Sequence, residues 1–499
     1  MANMETIERT AKRRGFFYPS SEIHKTIAGF WNYGPLGAAL KRKIEDAWRA
    51  YFIKGEGFYE IEGTNIMPED VFVASGHIKG FADPLVQCKK CKSLHRADKL
   101  IEEKTGIFVP ERASAEKFDK IIEENKIGCP TCNGELTNTR YFNMMFKLGV
   151  GPTEDVEVAY LRPETCQAIF VDFLNVYRSM RAKLPFGIAQ IGRSFRNEIS
   201  PRQTLLRQRE FTQAEAEIFF NPDKIDFPKF EEIESYELNL QMLKDEEPSK
   251  ISLSRALKSG LVKDKLILYY LAKLQRFIHS LGIPLEAIRL REQTDEERPF
   301  YATYAFDCEI RTSMEWIEVV ANHYRTDYDL KSHMKISGKN LSVIDDGEKI
   351  IPHVWEISQG IDRTLLCIML HSHREGKDRG WEWFAFPPKL APYTVGVFPL
   401  VNKDGIDDKA KEVYEMLKKD FDAFYDGSGS IGRRYARSDE VGTFLAVTVD
   451  YHTLDDQTVT IRNRDTTEQI RVKVEEVKGI VNEMLSGKTF EHFKGIGTN

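Results

Sequence analysis

Residues 195–219 read FRNEISPRQTLLRQREFTQAEAEIF, and the alternation and charge of this stretch restrict what the chain can fold into. In its second half, FTQAEAEIF, every other side chain lies on the same side of an extended strand. One side is apolar and can pack on a core, and the other carries Phe211, Gln213, Glu215 and Glu217. The pattern predicts a strand with one polar face, connected by a loop to the segment before it.

The first half of this stretch supplies the opposite charge. In FRNEI, Arg196 and Glu198 share one face, and a Ser-Pro turn leads into a loop that carries Arg202 and Arg207. Arginine is a planar donor that suits phosphate oxygens, whereas carboxylates aligned along a strand repel one another unless a cation lies over them. The hairpin is therefore suited to holding a phosphate beside an amine. The competing interpretation is a surface ladder of cross-strand ion pairs, each worth about 0 to 1 kcal/mol.

The chain is long enough for several domains. Its 499 residues predict about three folding units. Hydrophobic residues make up 41% and charged residues 30%, as in folded soluble proteins, and no apolar run is long enough to predict a membrane span. The N-terminus lacks the apolar core of a secretory signal, so we expect a cytoplasmic protein. A net charge of −6 argues against a general basic surface for nucleic acid but permits local basic patches.

Changes in pattern divide the chain into a large first domain, 1–386, and a smaller second one, 389–499. An amphipathic helix begins near Leu36, and the strand after it ends at Pro68. Short apolar strands later in the first domain predict an antiparallel sheet flanked by helices. After two consecutive prolines the order becomes strand, helix, strand, which predicts an α/β unit.

Two charged segments interrupt the first domain. Residues 88–140 contain two CxxC pairs and predict a zinc ribbon, because four thiolates form a closed tetrahedral site. Residues 221–299 predict a helical insertion. The spacer between the CxxC pairs is long, and His95 is a competing ligand. Reduced cysteines packed in a small core are the alternative for Cys88, Cys91, Cys129 and Cys132.

FRNEI followed by a loop and REF resembles motif 2 of the class II aminoacyl-tRNA synthetases, and the full stretch is similar to that of glycyl-tRNA synthetases of the homodimeric type. The helix near Leu36 and the strand ending at Pro68 resemble motif 1, and HVWEISQGIDRTLLCIMLHSH resembles motif 3. Further strings agree in order, among them WNYGPLG, YLRPET, RTDYDL and GSIGRRYARSDEVGT. The resemblance spans residues 16–472.

The resemblance implies a mixed α/β fold with a class II antiparallel catalytic sheet, insertions and a C-terminal anticodon-binding domain. It implies that glycine is activated with ATP to glycyl-adenylate and transferred to the 3′ end of tRNA(Gly), in a homodimer formed through motif 1. Because both substrates of the first step are anionic where they meet, we expect catalysis by positioning and charge neutralisation, with arginine and Mg²⁺.

The resemblance also implies roles for individual residues. Arg196, Glu198 and Arg363 are the expected catalytic residues, and Glu318, with Glu356 as a possible partner, suits Mg²⁺. The expected ATP-binding residues are Arg196, Asn197, Glu198, Leu206, Arg207, Arg209, Phe211, Glu318, Val319, Gly360 and Arg363. The expected glycine-binding residues are Arg96, Glu164, Phe211, Gln213, Glu215, Glu356, Ser358 and Gly360.

Glycine must be selected by exclusion, because it has no side chain to bind and the pocket must clash with a methyl group. Glu217 shares the polar face of its strand but lies one step deeper, so we expect it to orient a neighbour. In the second domain a basic cluster is expected to contact tRNA through Arg433, Arg434 and Arg437.

The sequence departs from the family pattern at four positions, Cys166, Ala168, Thr204 and Ile357, and none of these changes removes a charge. A synthetase-like accessory protein without aminoacylation activity is the main alternative, and such a protein is expected to lack the phosphate-binding arginines. A third possibility is an enzyme that transfers an adenylate elsewhere.

Overall fold

The computed structural model describes residues 3–152, 156–201, 203–224, 226–262, 264–377 and 379–493. Arg202 lies outside these residues. The helices are, in chain order, α1 (Met4–Arg14), α2 (Pro35–Trp48), α3 (Glu69–Ala74), α4 (His77–Gly80), α5 (Ala97–Thr105), α6 (Ala115–Glu124), α7 (Cys166–Ser179), α8 (Leu253–Lys258), α9 (Lys265–Ser280), α10 (Tyr328–Ser337), α11 (Ile361–Ser372), α12 (Ile406–Leu417), α13 (Ile431–Glu440), α14 (Tyr451–Asp456) and α15 (Val477–Leu485).

The strands alternate with these helices along the whole chain. They are β1 (Phe17–Pro19), β2 (Trp31–Tyr33), β3 (Tyr59–Glu60), β4 (Ile66–Pro68), β5 (Ala82–Gln87), β6 (Leu94–Arg96), β7 (Arg140–Asn143), β8 (Phe146–Val150), β9 (Glu157–Leu161), β10 (Phe186–Phe195), β11 (Glu210–Phe220), β12 (Glu237–Gln241), β13 (Ser249–Ser252), β14 (Ile288–Glu292), β15 (Tyr304–Thr312), β16 (Glu315–Thr326), β17 (Val343–Asp345), β18 (Glu348–Ile350), β19 (His353–Gly360), β20 (His373–Arg374), β21 (Trp383–Phe384), β22 (Val395–Pro399), β23 (Ala423–Tyr425), β24 (Leu445–Val449), β25 (Thr458–Asn463) and β26 (Gln469–Lys473).

A nine-stranded sheet forms the body of the first domain, in the order β13-β12-β14-β15-β16-β19-β11-β10-β3. Most neighbours are antiparallel, and only the pairs β3/β10 and β12/β14 within it are parallel. The antiparallel sheet and the mixed α/β class confirm the predicted fold. Helix α11 packs on one face of the sheet, and Leu365, Leu366 and Ile368 of this helix are fully buried in the main core.

The segment at residues 221–299 differs from its prediction. It contains the predicted helix α9, which begins at the N-cap Asp264 and buries Leu266, Tyr270 and Leu274. It also contains β12, β13 and β14, which extend the main sheet beyond β15. The prediction of a helical insertion missed these strands because each is only four or five residues long.

Two further predictions of local structure need correction. The strand expected through FRNEI ends at Phe195, so Arg196 and Glu198 lie just beyond β10. The Arg196 N–H donates to the Arg209 carbonyl at 3.0 Å, and the Asn197 N–H donates to the Met144 carbonyl at 2.7 Å. The backbone at Arg196 is therefore held by irregular hydrogen bonds. The single strand expected before Pro68 is likewise divided into β3 and β4.

The C-terminal residues form a five-stranded sheet in the order β23-β22-β24-β25-β26. Strand β22 is parallel to β23 and β24, and the pairs β24/β25 and β25/β26 are antiparallel. This sheet has its own hydrophobic core, which includes Val397, Val413, Val447 and Ile461. The predicted α/β character of the C-terminal unit is confirmed. Among the described residues, no helix combines the length and hydropathy of a membrane span.

Candidate active site

A cavity of about 460 Å³ opens above strands β11, β16 and β19, where the two halves of the central sheet meet. Most of the residues predicted to bind ATP or glycine line it, although they come from distant parts of the sequence. These are Arg96, Glu164, Arg196, Glu198, Leu206, Arg207, Phe211, Gln213, Glu318, Val319, Glu356, Ser358, Gly360 and Arg363. The remaining three, Asn197, Arg209 and Glu215, do not line the cavity directly.

Arg196 is placed between two aromatic rings. Its guanidinium carbon lies 5.3 Å from the ring centre of Phe81 and 5.3 Å from that of Phe211. Its Nε donates to the Pro163 carbonyl at 3.1 Å, and its terminal nitrogens have no hydrogen-bond partner among the described residues. Arg196 is therefore fixed in orientation but retains donors for an anion.

The second arginine of the cavity is fixed by neighbouring backbone. Arg363 donates from Nε to the Leu206 carbonyl at 3.1 Å and from Nη1 to the Glu318 carbonyl at 3.0 Å. Its Nη1 also lies 3.5 Å from the Glu318 carboxylate. Arg363 thereby connects β16 to the loop after β10, and about a third of its side chain stays exposed to the cavity.

The two other arginines of this loop differ in their surroundings. Arg207 forms an ion pair with Glu198 at 3.4 Å and faces the cavity. Arg209 donates to the carbonyls of Ala28 and Glu198, each at 2.8 Å. The two terminal nitrogens of Arg209 thus hold the loop to neighbouring backbone, and its expected contact with ATP stays a prediction.

Glu318 on β16 lines the cavity, whereas the buried Asp307 on β15 does not. Glu318 is nearly half exposed, and it lies close enough to the buried Asp307 to affect its ionisation. Burial and the charge of Glu318 raise the pKa of Asp307 to about 7. Asp307 already has a cationic partner, Arg291, whose Nη2 donates to it at 3.0 Å. Sequence reasoning missed Asp307, whose only signal was its place on a strand that pairs with that of Glu318.

Glu356, which was expected as a possible partner of Glu318 in binding Mg²⁺, is bound to His323 and Arg325. It accepts from His323 Nδ1 at 2.6 Å and from Arg325 Nη1 at 3.0 Å, and it is almost fully buried. Burial opposes ionisation of Glu356, but Arg325 and His323 outweigh this effect and lower its pKa. Glu356 is therefore a fixed negative charge at the floor of the cavity.

Two further glutamates surround this floor. Glu164 lies 3.3 Å from His77 Nε2 and accepts from the Cys166 thiol at 2.9 Å. Burial opposes its ionisation, but His77 outweighs burial and holds the pKa of Glu164 well below its usual range. Glu215 accepts from Ser358 Oγ at 2.5 Å, and burial together with Glu164 and Glu356 raises the pKa of Glu215 to about 7.

Glu217 lies deeper than these residues, as the alternation predicted. It is directly opposite Glu356 in the pairing of β11 with β19, and neither of its carboxylate oxygens has a hydrogen-bond partner among the described residues. Burial first, and then Glu356, raise the pKa of Glu217 well above its usual value. Burial and the neighbouring Glu356 charge therefore disfavour the ionised form of Glu217.

Arg96 lines the cavity, but its charge is already neutralised. It is buried and donates to Asp83 at 3.0 Å, to Asp98 at 2.6 Å and to Glu111. These carboxylates raise the pKa of Arg96 further, against the effect of burial. These ion pairs fix Arg96 in the part of the cavity wall formed by β5 and β6, and its expected contact with glycine stays a prediction.

The four cysteines of the CxxC pairs meet at one point. Cys88 and Cys132 have sulfur atoms 3.5 Å apart, those of Cys91 and Cys129 are 3.6 Å apart, and all four lie within 4.8 Å of one another. A tetrahedral zinc site with Zn–S bonds of about 2.3 Å has sulfur–sulfur edges of about 3.8 Å. The cluster can therefore bind a structural zinc ion. His95 lies 3.7 Å from the Cys129 sulfur, next to the cluster.

Comparison with known proteins agrees with the arrangement of the cavity. The family model described as tRNA synthetase class II core domain (G, H, P, S and T) matches residues 146–372, and the one described as Anticodon binding domain matches residues 394–484. The glycine–tRNA ligase of Pyrococcus furiosus is 42% identical over 97% of this chain and 99% of its own length. This chain belongs to the glycine–tRNA ligase family. The glycine–tRNA ligases of Methanothrix thermoacetophila, 38% identical over 98% of both chains, and Pyrococcus horikoshii, 41% identical over 97% of this chain and 99% of its own, are also similar.

The anticodon-binding unit of this ligase places its three predicted tRNA contacts differently. Arg433 is exposed on α13, and Arg437 is half-buried and bound to Asp426 at 2.6 Å. Arg434 is buried and donates to the carbonyls of Pro399, Gly427 and Gly429. The terminal nitrogens of Arg434 therefore hold β22 and the loop before α13 together, and its expected contact with tRNA stays a prediction.

Proposed function

We propose that this ligase activates glycine with ATP to glycyl-adenylate and transfers the glycyl group to the 3′ end of tRNA(Gly). The observation that carries the proposal is that Arg196 and Arg363 line the same cavity as Glu164 and Glu356, whose pKa values are lowered. The arginines suit an anionic phosphate and the carboxylates suit an ammonium group, and both are parts of the adenylate.

In the first step a glycine carboxylate oxygen attacks the α-phosphorus, and the bond to pyrophosphate breaks. We propose that Arg196 binds the α-phosphate, since its terminal nitrogens are free and two rings fix its plane. Phe211 offers a surface for adenine, and the exposed side of Arg363 serves either adenine or the terminal phosphate. Arg207 lies on the loop beside Arg196 and is proposed for the pyrophosphate side.

Glu198 and Asn197 are both proposed to contact ATP through their side chains. The Glu198 side chain faces the cavity beside Arg207, where its carboxylate can accept from the adenine amino group. The Asn197 N–H is used by Met144, so only its side chain remains for the nucleotide. Leu206, Val319 and Gly360 line the cavity and supply surface for ATP.

We propose Glu318 as a ligand of Mg²⁺, with Asp307 beside it. The support is the nearly half-exposed position of Glu318 at the cavity and the preference of Mg²⁺ for one or two carboxylates together with substrate phosphates. The ion would supply positive charge to the phosphates. The protein residues hold the carboxylates in place, since Arg291 and Gln293 donate to Asp307 at 3.0 and 2.7 Å.

For glycine, we propose that Glu164 and Glu356 provide the negative charge and that Ser358 and Gln213 provide the hydrogen-bond contacts. Glu215 acts through these two side chains, because it lies directly behind them. We propose that larger amino acids are excluded by side chains that cannot move aside, since Gln213, Glu215 and Ser358 are hydrogen-bonded to one another.

We infer that the CxxC cluster binds one structural zinc ion and that residues 1–386 and 389–499 act as catalytic and anticodon-binding domains. Two separate hydrophobic cores support this division. We further propose dimerisation through α2 and the following strands, with Ile66 of β4 as an exposed apolar contact. Sedimentation of Ile66→Glu should show a shift to monomer, whereas an unchanged dimer would contradict this interface. The cytoplasmic location stays a prediction.

Pyrophosphate exchange with each of the twenty amino acids tests the reaction most directly. Exchange that depends on glycine supports the proposal, and its absence would refute it in favour of an accessory protein that binds nucleic acid. Aminoacylation of tRNA(Gly) then separates a ligase from an enzyme that transfers its adenylate elsewhere. Arg433→Ala should weaken charging of tRNA and leave the exchange reaction unchanged, because Arg433 is exposed on a helix outside the cavity.

A further inference from the structure

Two consecutive residues of the loop after β10 adopt left-handed backbone conformations. Gln203 has a φ of 72° and Thr204 a φ of 55°. For a β-branched residue such as threonine this conformation is rare and costs about 1 to 3 kcal/mol, so the surrounding structure must impose it. The Thr204 hydroxyl donates to the carboxylate of Glu8 in α1, and the side chain of Thr204 is buried there.

The conformation of Thr204 determines where the next three residues of the loop lie. Thr204–Leu206 form a single 3₁₀ turn whose middle residue, Leu205, is anchored in the main core. Leu206 accepts the hydrogen bond from Arg363, and Arg207 follows at the cavity wall. A change in the conformation of Thr204 would therefore move the two residues that bring this loop to the ATP site.

Helix α1 also connects to the anticodon-binding unit. Ile7 and Ala11 are buried in the main core and hold the middle of the helix. At its C-terminal end Arg13 and Arg14 each bind one oxygen of the Glu440 carboxylate. Glu440 is the last residue of α13, the helix that carries the two accessible arginines proposed for tRNA. Eleven helical residues, about 16 Å in length, thus join the two units.

We propose that Glu8 is a positioning residue for adenylate formation. It holds Thr204 in its left-handed conformation and so fixes the loop at the ATP site, while the pairs of Arg13 and Arg14 with Glu440 fix the helix that carries Glu8. The inference rests on the proposed function, because it assigns the loop to ATP. Glu8 is not among the residues that line the cavity, so its effect on ATP must pass through Thr204.

The first test separates the hydrogen bond from general stability. Glu8→Ala and Thr204→Val remove the hydrogen bond, whereas Glu8→Gln and Thr204→Ser retain an acceptor and a donor. We expect the first two variants to raise the KM for ATP about tenfold and to leave the KM for glycine unchanged, and the second two to stay within about twofold of wild type. Glu5→Ala, an exposed carboxylate of the same helix, is the matched control.

A merely structural role would have a different signature. It would lower the melting temperature and raise both KM values together, and it would not distinguish Thr204→Val from Thr204→Ser. Equal ATP parameters in Glu8→Ala and Glu5→Ala would overturn the proposal. Calorimetry without glycine measures the Kd for ATP, and the same loss of ATP affinity is expected there. Because this measurement does not involve glycine, a failure of the inference can be distinguished from a failure of the proposed glycine reaction.

The connection to the second unit is tested by a double-mutant cycle. Glu440→Gln removes the charge that binds Arg13 and Arg14, and we expect it to raise the KM for ATP about threefold in the wild-type background. In the Glu8→Ala background the same substitution should have no further effect, because the helix no longer holds the loop. An equal factor in both backgrounds would refute the connection between Glu440 and the ATP site.

Discussion

The ionisation of Glu215 predicts how glycine binding depends on pH. Burial and the neighbouring charges of Glu164 and Glu356 raise the pKa of Glu215 to about 7, whereas Glu164 stays ionised. An ionised Glu215 accepts the hydrogen bond from Ser358 and leaves the Ser358 oxygen able to accept from an ammonium group. A protonated Glu215 removes this negative charge, so glycine binds best above the pKa.

The size of the effect follows from the ionised fraction. With a pKa of about 7, Glu215 is ionised to about 10% at pH 6 and to about 90% at pH 8. If only the ionised form binds glycine, the apparent Kd changes by the inverse of this fraction. We expect the KM for glycine to fall about tenfold between pH 6 and pH 8, while the KM for ATP stays nearly constant.

Pyrophosphate exchange at fixed saturating ATP measures this KM directly. Glu215→Gln keeps the size of the side chain and removes its titration, so its KM for glycine should be high and independent of pH over the same range. The explanation fails if the wild-type KM is the same at pH 6 and pH 8, or if Glu215→Gln retains the full pH dependence.

Three further predictions concern other parts of the molecule. Arg196→Ala should lower glycine-dependent exchange about 10²- to 10³-fold with an unchanged melting temperature, since a charge-assisted contact to the reacting phosphate is worth about 3 to 4 kcal/mol; near wild-type exchange would contradict its role. Metal analysis should find about one zinc per chain, and Cys129→Ser should lose it and unfold the first insertion at a lower temperature. Arg434→Ala should destabilise the C-terminal unit by about 2 kcal/mol or more, as several buried carbonyls lose a charged donor, whereas Arg433→Ala should leave its melting temperature unchanged.

Features with strong local signals were predictable from the sequence. Strand β11 has Ala214 and Ala216 in the main core and Gln213 at the cavity, as the alternation predicted, although both faces are buried from Thr212 to Phe220. The CxxC pairs came together as predicted because cysteine spacing directly reflects the geometry of a metal site. The polar face of β11 could thus be predicted from the sequence alone.

Features that depend on distant partners were not predictable in the same way. Arg209 and Arg96 look like free cations in the sequence, but backbone carbonyls and carboxylates from other segments use their donors. Asp307 belongs to no recognisable motif, and the sequence does not show that Glu318 affects its ionisation. Local patterns report charge and periodicity, whereas the availability of a charged group is decided by tertiary contacts.

The departures from the family pattern also find places in the structure. Cys166 donates to Glu164 at 2.9 Å, and Ile357 is fully buried in the main core. Thr204 adopts the left-handed conformation for which glycine is best suited. Ala168 packs close to Gly63, where a Cβ atom on Gly63 would lie 2.4 Å from its own. These substitutions are compensated by direct neighbours.

The extension of the central sheet by β12, β13 and β14 limits how this ligase can be shortened. If residues 221–299 were removed, β15 would become an open sheet edge, with a row of unpaired N–H and C=O groups over Tyr304–Thr312. Such an edge is a template for pairing with a second chain. Asp307 would also lose Arg291 and Gln293. A minimal catalytic unit obtained by this deletion would therefore aggregate. Its loss of activity would result from low solubility and would not show that the deleted residues take part in the reaction.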